Sequence, residues 1–238
     1  MRTCLRLALT ASAAFLATLA VAPRASAGIV FYTNEATFNA AAPALSTQTF
    51  ASATIAPIGI SVFANPLNSA TNNAVFSAGS ILPGLTIASS ASHSGQELGA
   101  VATGIFGNPA KGVYNNFAGD TLNLSFSPNA RAVGLGALNP SGSSEVVSVF
   151  SPGGSLLATQ TFAVPANGAE GFIGAIATGG DQIGTIGLLG GGAPRFAGVD
   201  RVTFALGTSA VPEPSSFVLT GLACAGATAV VRRARRKG

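Results

Sequence analysis

The 238-residue chain has no tryptophan, one histidine, two cysteines and only 8% charged residues. Each scarcity closes off a class of chemistry. Cys4 and Cys224 lie near the two ends, and the stretch from Gly28 to Val211 has no cysteine. That stretch therefore has no disulfide and no thiolate metal site, and one histidine argues against a zinc centre. His93 sits between Ser92 and Ser94 in a loop of small residues and reads as a solvated loop residue. A hydrolytic triad needs a base held by a third group, and no Gly-x-Ser-x-Gly elbow is present. Long helices are excluded too. Of 30 glycines, 27 fall between Gly28 and Gly207, and each interior glycine costs a helix about 1 kcal/mol.

Positive charge is also scarce where it would matter. The pI near 9.7 suggests a nucleic-acid partner, but the cations crowd the ends. Between Gly28 and Val211 there are four (Lys111, Arg131, Arg195, Arg201) against seven acids, a net charge of −3. Without a basic patch to neutralise phosphates, nucleic-acid binding is excluded.

The ends carry the strongest signals. Arg2 and Arg6 precede an apolar run from Leu7 to Ala22, Pro23 breaks it, and Ala25-Ser26-Ala27 follows. This is the pattern of a secretory signal peptide over residues 1–27, with cleavage expected after Ala27. At the other end, Pro212-Glu213-Pro214 precedes an uncharged apolar run from Ser215 to Val231. Arg232, Arg233, Arg235, Arg236 and Lys237 close the chain. A helix over 215–231 would reach about 25 Å, slightly short of a ~30 Å hydrocarbon core. The clustered cations should keep residues 232–238 cytoplasmic while the rest is exported. Pro212 and Pro214 hold the preceding backbone extended, a shape that suits entry into a protease-like groove.

This ending resembles the PEP-CTERM sorting signal of exported bacterial proteins. Val211-Pro212-Glu213-Pro214 matches its short motif, Ser215–Val231 its helix and Arg232–Lys237 its basic stop. The resemblance implies a Gram-negative envelope protein handled by export machinery and an exosortase. That enzyme is expected to cut near the motif and to release or transfer the ectodomain. It also implies an association with exopolysaccharide and the biofilm matrix.

The exported part, residues 28–206, reads as all-β, with 207–211 as a linker. At about 180 residues it can bury a core without staples. Leu122, Leu124 and Phe126 alternate on one face, Ser127-Pro128-Asn129 ends that strand, and Val133, Leu135 and Ala137 alternate on the next. Val146–Phe150, a turn at Ser151-Pro152-Gly153-Gly154, and Ser155–Ala163 form a hairpin. Phe172–Ala177, Gln182–Leu188 and Phe196–Ala205 continue the series. Earlier, Ile29–Thr33, Ile58–Ala64, Ala74–Ser77 and Leu85–Ala88 read as strands, and Asn34 caps a short helix Glu35–Ala42 with Phe38 its core residue. Strands at this spacing without helical spacers predict a jelly-roll-like β-sandwich. The stretch also resembles the β-sandwich ectodomains that accompany this tail, through Phe31–Phe38, Val149–Gln160 and the strands from Phe172 onward. That resemblance implies no catalytic residue.

Candidate chemistry is thin. The glycine-rich stretches at Gly104–Gly112 and Gly187–Gly192 lack the endings and register of phosphate loops. Glu97 and Glu145 begin apolar strands, where solvation at the edge is the default. A glycoside hydrolase needs paired carboxylates, and none can be paired from the sequence. Asp200 shares parity with Val202 and Phe204 and so faces the core, where a carboxylate needs partners. It either meets backbone donors or an arginine, or joins Asp120 or Asp181 on a calcium ion, without the spacing of a calcium repeat. Tyr114-Asn115-Asn116-Phe117 is the one aromatic-amide cluster suited to a sugar, and a turn with two core aromatics explains it equally well. The expectation is a non-catalytic structural or adhesive protein without a cofactor. A carbohydrate-binding module is the alternative, and a glycan hydrolase stands behind it.

Overall fold

The computed structural model describes residues 28–207, apart from 43, 141–143, 166–168 and 193–194. The expected signal peptide (Ala25, Ala27), sorting motif (Val211–Pro214), apolar run and basic stop lie outside the described residues. Among the described residues, no helix is long and apolar enough to cross a membrane. They form an all-β fold of antiparallel strands with one short helix.

The strands build two layers. Layer I runs β4 (Leu67–Asn68), β5 (Leu85–Ser89), the first part of β8 (Leu122–Leu138), β12 (Ile183–Gly190), β9 (Ser144–Phe150) and β10 (Leu156–Ala163). Layer II runs β1 (Gly28–Tyr32), β11 (Gly171–Thr178), the second part of β8 and β13 (Gly198–Leu206). Along the far edge of β13 lie β2 (Ser46–Thr49) and β7 (Gly112–Asn115), followed by β6 (Leu98–Val101) and β3 (Ile60–Phe63).

The corner is β8, which belongs to both layers. Its residues 122–126 pair with β5 and β12, and residues 130–138 pair with β13 and, in part, β11. The two strands expected from the sequence are therefore one. Pro128 stands where the strand changes partners, and there its missing N–H costs no ladder bond. The alternation changes parity at the corner. Leu122, Leu124 and Phe126 enter the core from layer I, and Val133, Leu135 and Ala137 enter it from layer II. Phe126 meets Phe204 (centroids 5.6 Å apart) and Phe31 of β1 meets Phe162 of β10 (5.3 Å), closing the sandwich. Burying each such side chain contributes about 1.5–3 kcal/mol.

The expected hairpin is present as β9–β10, with Gly154 at φ 81° in its turn. The expected helix is α1 (Glu35–Ala41). The Asn34 side chain accepts the Thr37 N–H at 3.0 Å, and Phe38 is fully buried. Ala74–Ser77 is not a strand, because Asn73 Oδ1 accepts the N–H groups of Val75 and Phe76 and turns the chain. Strands β6 and β7 were not legible. All four residues of each are buried, so neither alternates.

Candidate functional site

The outer face of layer II carries glycine where its inner face carries branched side chains. Gly134 and Gly136 on β8, Gly174 on β11 and Gly198 on β13 leave grooves in which bulky groups lie flat. Phe38 fills one end, and a Cβ on Gly134 or Gly174 would come within 2.9 or 2.6 Å of its ring. At the other end the Tyr114 ring lies directly on Gly198. Phe106 stands edge-on to it (5.8 Å, 73°), and Val101, Leu138 and Ile105 complete the cluster.

Segment 102–111, between β6 and β7, contributes to the lining of two clefts. One, of about 340 Å³, is walled by Ile60, Val101, Phe106, Tyr114 and Phe196, with Asn116 among its polar groups. The other, of about 440 Å³, is lined by Thr49, Thr103, Lys111, Glu170, Asp200 and Arg201. Both fall in the size range of small-ligand sites, about 300–1,000 Å³.

Charge in the second cleft is organised by a β-bulge. Val199 pairs with Ala137 and Arg201 with Gly136, so Asp200 is an extra residue in β13. The bulge reverses the parity inferred from the sequence. Val199 and Val202 both face the core, whereas Asp200 and Arg201 both lie over Gly136 on the outer side. A Cβ on Gly136 would collide with Asp200 Oδ1 and sit 3.1 Å from Glu170 Oε1. Arg201 Nη2 pairs with Glu35 Oε2 at 2.9 Å and with Glu170 Oε1. Asp200 is 4% exposed, and its Oδ1 has no hydrogen-bond partner among the described residues. Burial, then the neighbouring Glu170 charge, raises its pKa to about 7, against a smaller lowering by Arg201. The Asp200 and Glu170 carboxyls both lie over Gly136, close enough that a proton held by Asp200 can be shared with Glu170.

The other sequence candidates are redistributed. Tyr114 is not a surface platform. It is 4% exposed, and its buried hydroxyl has no partner among the described residues. Burial, with Asp200 and Glu145 nearby, pushes its ionisation upward. Asn115 is buried and braces the chain, donating to Phe117 O and Asp120 O and accepting the Ala197 N–H. Asn116 is half-buried and donates to Gln96 O.

His93 is not simply solvated. Its ring stacks on Phe117 (3.6 Å, 22°), and Nε2 is 2.8 Å from Asp120 Oδ2. Ser89 Oγ donates to the same Asp120 oxygen. The acid therefore stands between serine and histidine, which is not the order of a hydrolytic triad.

Glu97 is buried rather than solvated. It accepts the N–H groups of His93, Gly95 and Asn65, and the first two do most to lower its pKa to about 2. Glu145 is also buried, on the inward face of β9 with Val147 and Val149. Neither of its oxygens has a partner among the described residues, and burial raises its pKa to about 9.

The calcium candidates do not converge. Asp120 serves Ser89 and His93, Asp200 meets Glu170, and Asp181 lies in the turn after β11, its N–H donating to Thr178 O. Among the described residues, no three His, Cys, Asp or Glu side chains gather as a metal-holding group. Phe106, Phe196, Glu170 and Arg201 were missed from the sequence. Nothing local marks them, and only the cross-strand register brings them to the clefts.

No protein-family model and no curated protein matches the sequence. Among solved structures, a family 29 carbohydrate-binding module from Piromyces equi aligns at 9% identity and TM-score 0.36, over 63% of this chain and 91% of that one. A module from Clostridium stercorarium, CsCBM6-3 in complex with cellobiose, aligns at 16% identity and TM-score 0.31, over 51% and 93%. The lectin-binding domain of lectinolysin, complexed with Lewis b, aligns at 13% identity and TM-score 0.30, over 39% and 70%.

Proposed function

We propose that this chain is an exported bacterial envelope protein whose jelly-roll-like β-sandwich binds a neutral glycan without cleaving it, giving it an adhesive role in the extracellular matrix. Residues 1–27 direct export. Val211–Pro214, the apolar run 215–231 and the basic stop hold the precursor in the membrane for an exosortase, which releases the ectodomain or attaches it at the surface.

The observation that carries the glycan reading is the aromatic cleft. Phe106, Tyr114 and Phe196 line a concave site of about 340 Å³ beside the amide of Asn116. Sugar rings present C–H faces that pack on aromatic carbon, while their hydroxyls need amide partners at the rim. The acids do not favour hydrolysis. Glu170 and Asp200 meet each other over Gly136 instead of flanking a bond from two sides.

A glycan array, followed by titration calorimetry with the best ligand, tests this. Phe106→Ala and Phe196→Ala should each weaken binding about tenfold, as expected for an aromatic contact of about 1–1.5 kcal/mol. Tyr114→Ala should abolish binding, since it removes the floor of the cleft. A protein that binds no glycan, or binds equally well after both phenylalanine truncations, refutes the proposal.

A further inference from the structure

The second cleft is short of positive charge. Glu35 and Glu170 pair with the one guanidinium of Arg201, and the Asp200 carboxyl lies beside Glu170 over Gly136 without an ion pair of its own among the described residues. Lys111 lines the same cleft but does not serve them. Its ammonium donates to Ala53 O at 2.6 Å and Ala51 O at 3.1 Å. Tyr114, on the neighbouring strand, is a neutral phenol and adds no cation. Asp200 is more than nine-tenths buried, lines the cleft and has one oxygen without a partner. Arg201 offsets only part of the cost of burying Asp200 beside Glu170, so Asp200 holds a proton. The ionised form of such an acid is favoured when an opposite charge comes within about 4–6 Å.

We propose that this cleft binds a primary ammonium group, such as the amine of an aminosugar, between the Asp200 and Glu170 carboxyls in place of the proton they share. An ammonium has three donors in a compact head. The two carboxyls supply two acceptors, and the hydroxyls of Thr49 and Thr103 line the same cleft. A divalent metal fits less well. It wants six or more oxygens, and Arg201 already spans Glu35 and Glu170. The exchange balances simply: the ammonium enters with its charge, Asp200 releases its proton to solvent, and no covalent bond changes.

The site goes beyond the glycan proposal, since it uses different residues in a separate cleft. The test is calorimetry on the full-length protein in detergent, with glucosamine and N-acetylglucosamine as probes. Glucosamine should bind with release of about one proton at pH 6, read from the dependence of the heat on buffer ionisation. Its affinity should fall about tenfold per pH unit below about 7. Glu170→Gln, at a partly exposed position, should weaken binding at least tenfold, and N-acetylglucosamine should release no proton. Equal binding of the two sugars without proton release overturns the ammonium site and leaves the aromatic cleft untouched. Glucosamine binding with proton release, unchanged by Phe106→Ala, upholds the ammonium site even if the aromatic cleft takes no sugar. Phe106→Ala needs no part of the acid cluster, so the two outcomes are separable.

Discussion

Glu145 should cost this fold stability at neutral pH, and relieving that cost is measurable. Its carboxyl points inward with Val147 and Val149, is fully buried and has no hydrogen-bond partner among the described residues. Burial raises its pKa from 4.5 to about 9. Between those values the folded protein keeps a proton that the unfolded chain has lost, so stability falls as pH rises. Each pH unit above 4.5 costs about 1.4 kcal/mol, which reaches about 3 kcal/mol by pH 7 but stays under about 1 kcal/mol at pH 5. Glu145→Gln keeps the shape and removes the titration. The variant should gain about 3 kcal/mol at pH 7, or about 6–12 °C in Tm for a domain of this size. The gain should shrink nearly to nothing at pH 5. Asp200 titrates with the same sign, so only the difference between parent and variant isolates Glu145. With no tryptophan in the chain, urea unfolding is best followed by far-UV circular dichroism. A gain that is the same at pH 5 and pH 7, or a loss at pH 7, would refute the reasoning.

Three further outcomes are expected. Gly136→Ala drives a methyl group into Asp200 Oδ1; it should destabilise the fold by about 1–3 kcal/mol, and an unchanged urea midpoint would remove the seat assigned to the acid pair. Glu97 is held low by backbone N–H groups, so its support of loop 90–97 is present above pH 4.5 and is lost as pH falls through about 2. Protection of the His93 and Gly95 amides, taken as the intrinsic exchange rate over the observed rate at each pH, should fall over that interval in the parent and be low at every pH in Glu97→Ala. Replacing Pro212-Glu213-Pro214 by alanines should leave a longer, membrane-retained product on immunoblots of fractionated cells, and processing like the parent would count against recognition of the motif.

The strand content and the main hairpin were legible because they are local. Alternation at Leu122–Phe126 and Val133–Ala137 shows which side chains face inward, and Ser151–Gly154 can only turn. Asn34 and Phe38 announce a capped helix for the same reason. Legibility failed where burial on both faces erases alternation, as in Leu98–Val101 and Gly112–Asn115. It failed again at Pro128, because a residue that stops a strand in one sheet is harmless where the strand passes to another.

For the site, residue type alone was misleading. Tyr114 read equally well as part of a sugar-binding cluster or as a core aromatic, and it proves to be a buried ring on the floor of a cleft, laid on Gly198. Asp200 was assigned a direction by counting in twos, and a single extra residue in β13 reverses that count. His93 and Asp120 are 27 residues apart in the chain and 2.8 Å apart in space, a distance no local pattern encodes.

Sequence alone determined the all-β class of fold, the net charge of −3 over residues 28–211 and the lack of cysteine in that stretch, because these depend on composition and short-range periodicity. Tertiary structure alone decided that Phe106 and Phe196 join Tyr114 around one cleft, and that Glu35 and Glu170 share Arg201 beside Asp200. Those meetings depend on register between strands distant in the chain, and a shift of one residue in register exchanges the two faces of a sheet.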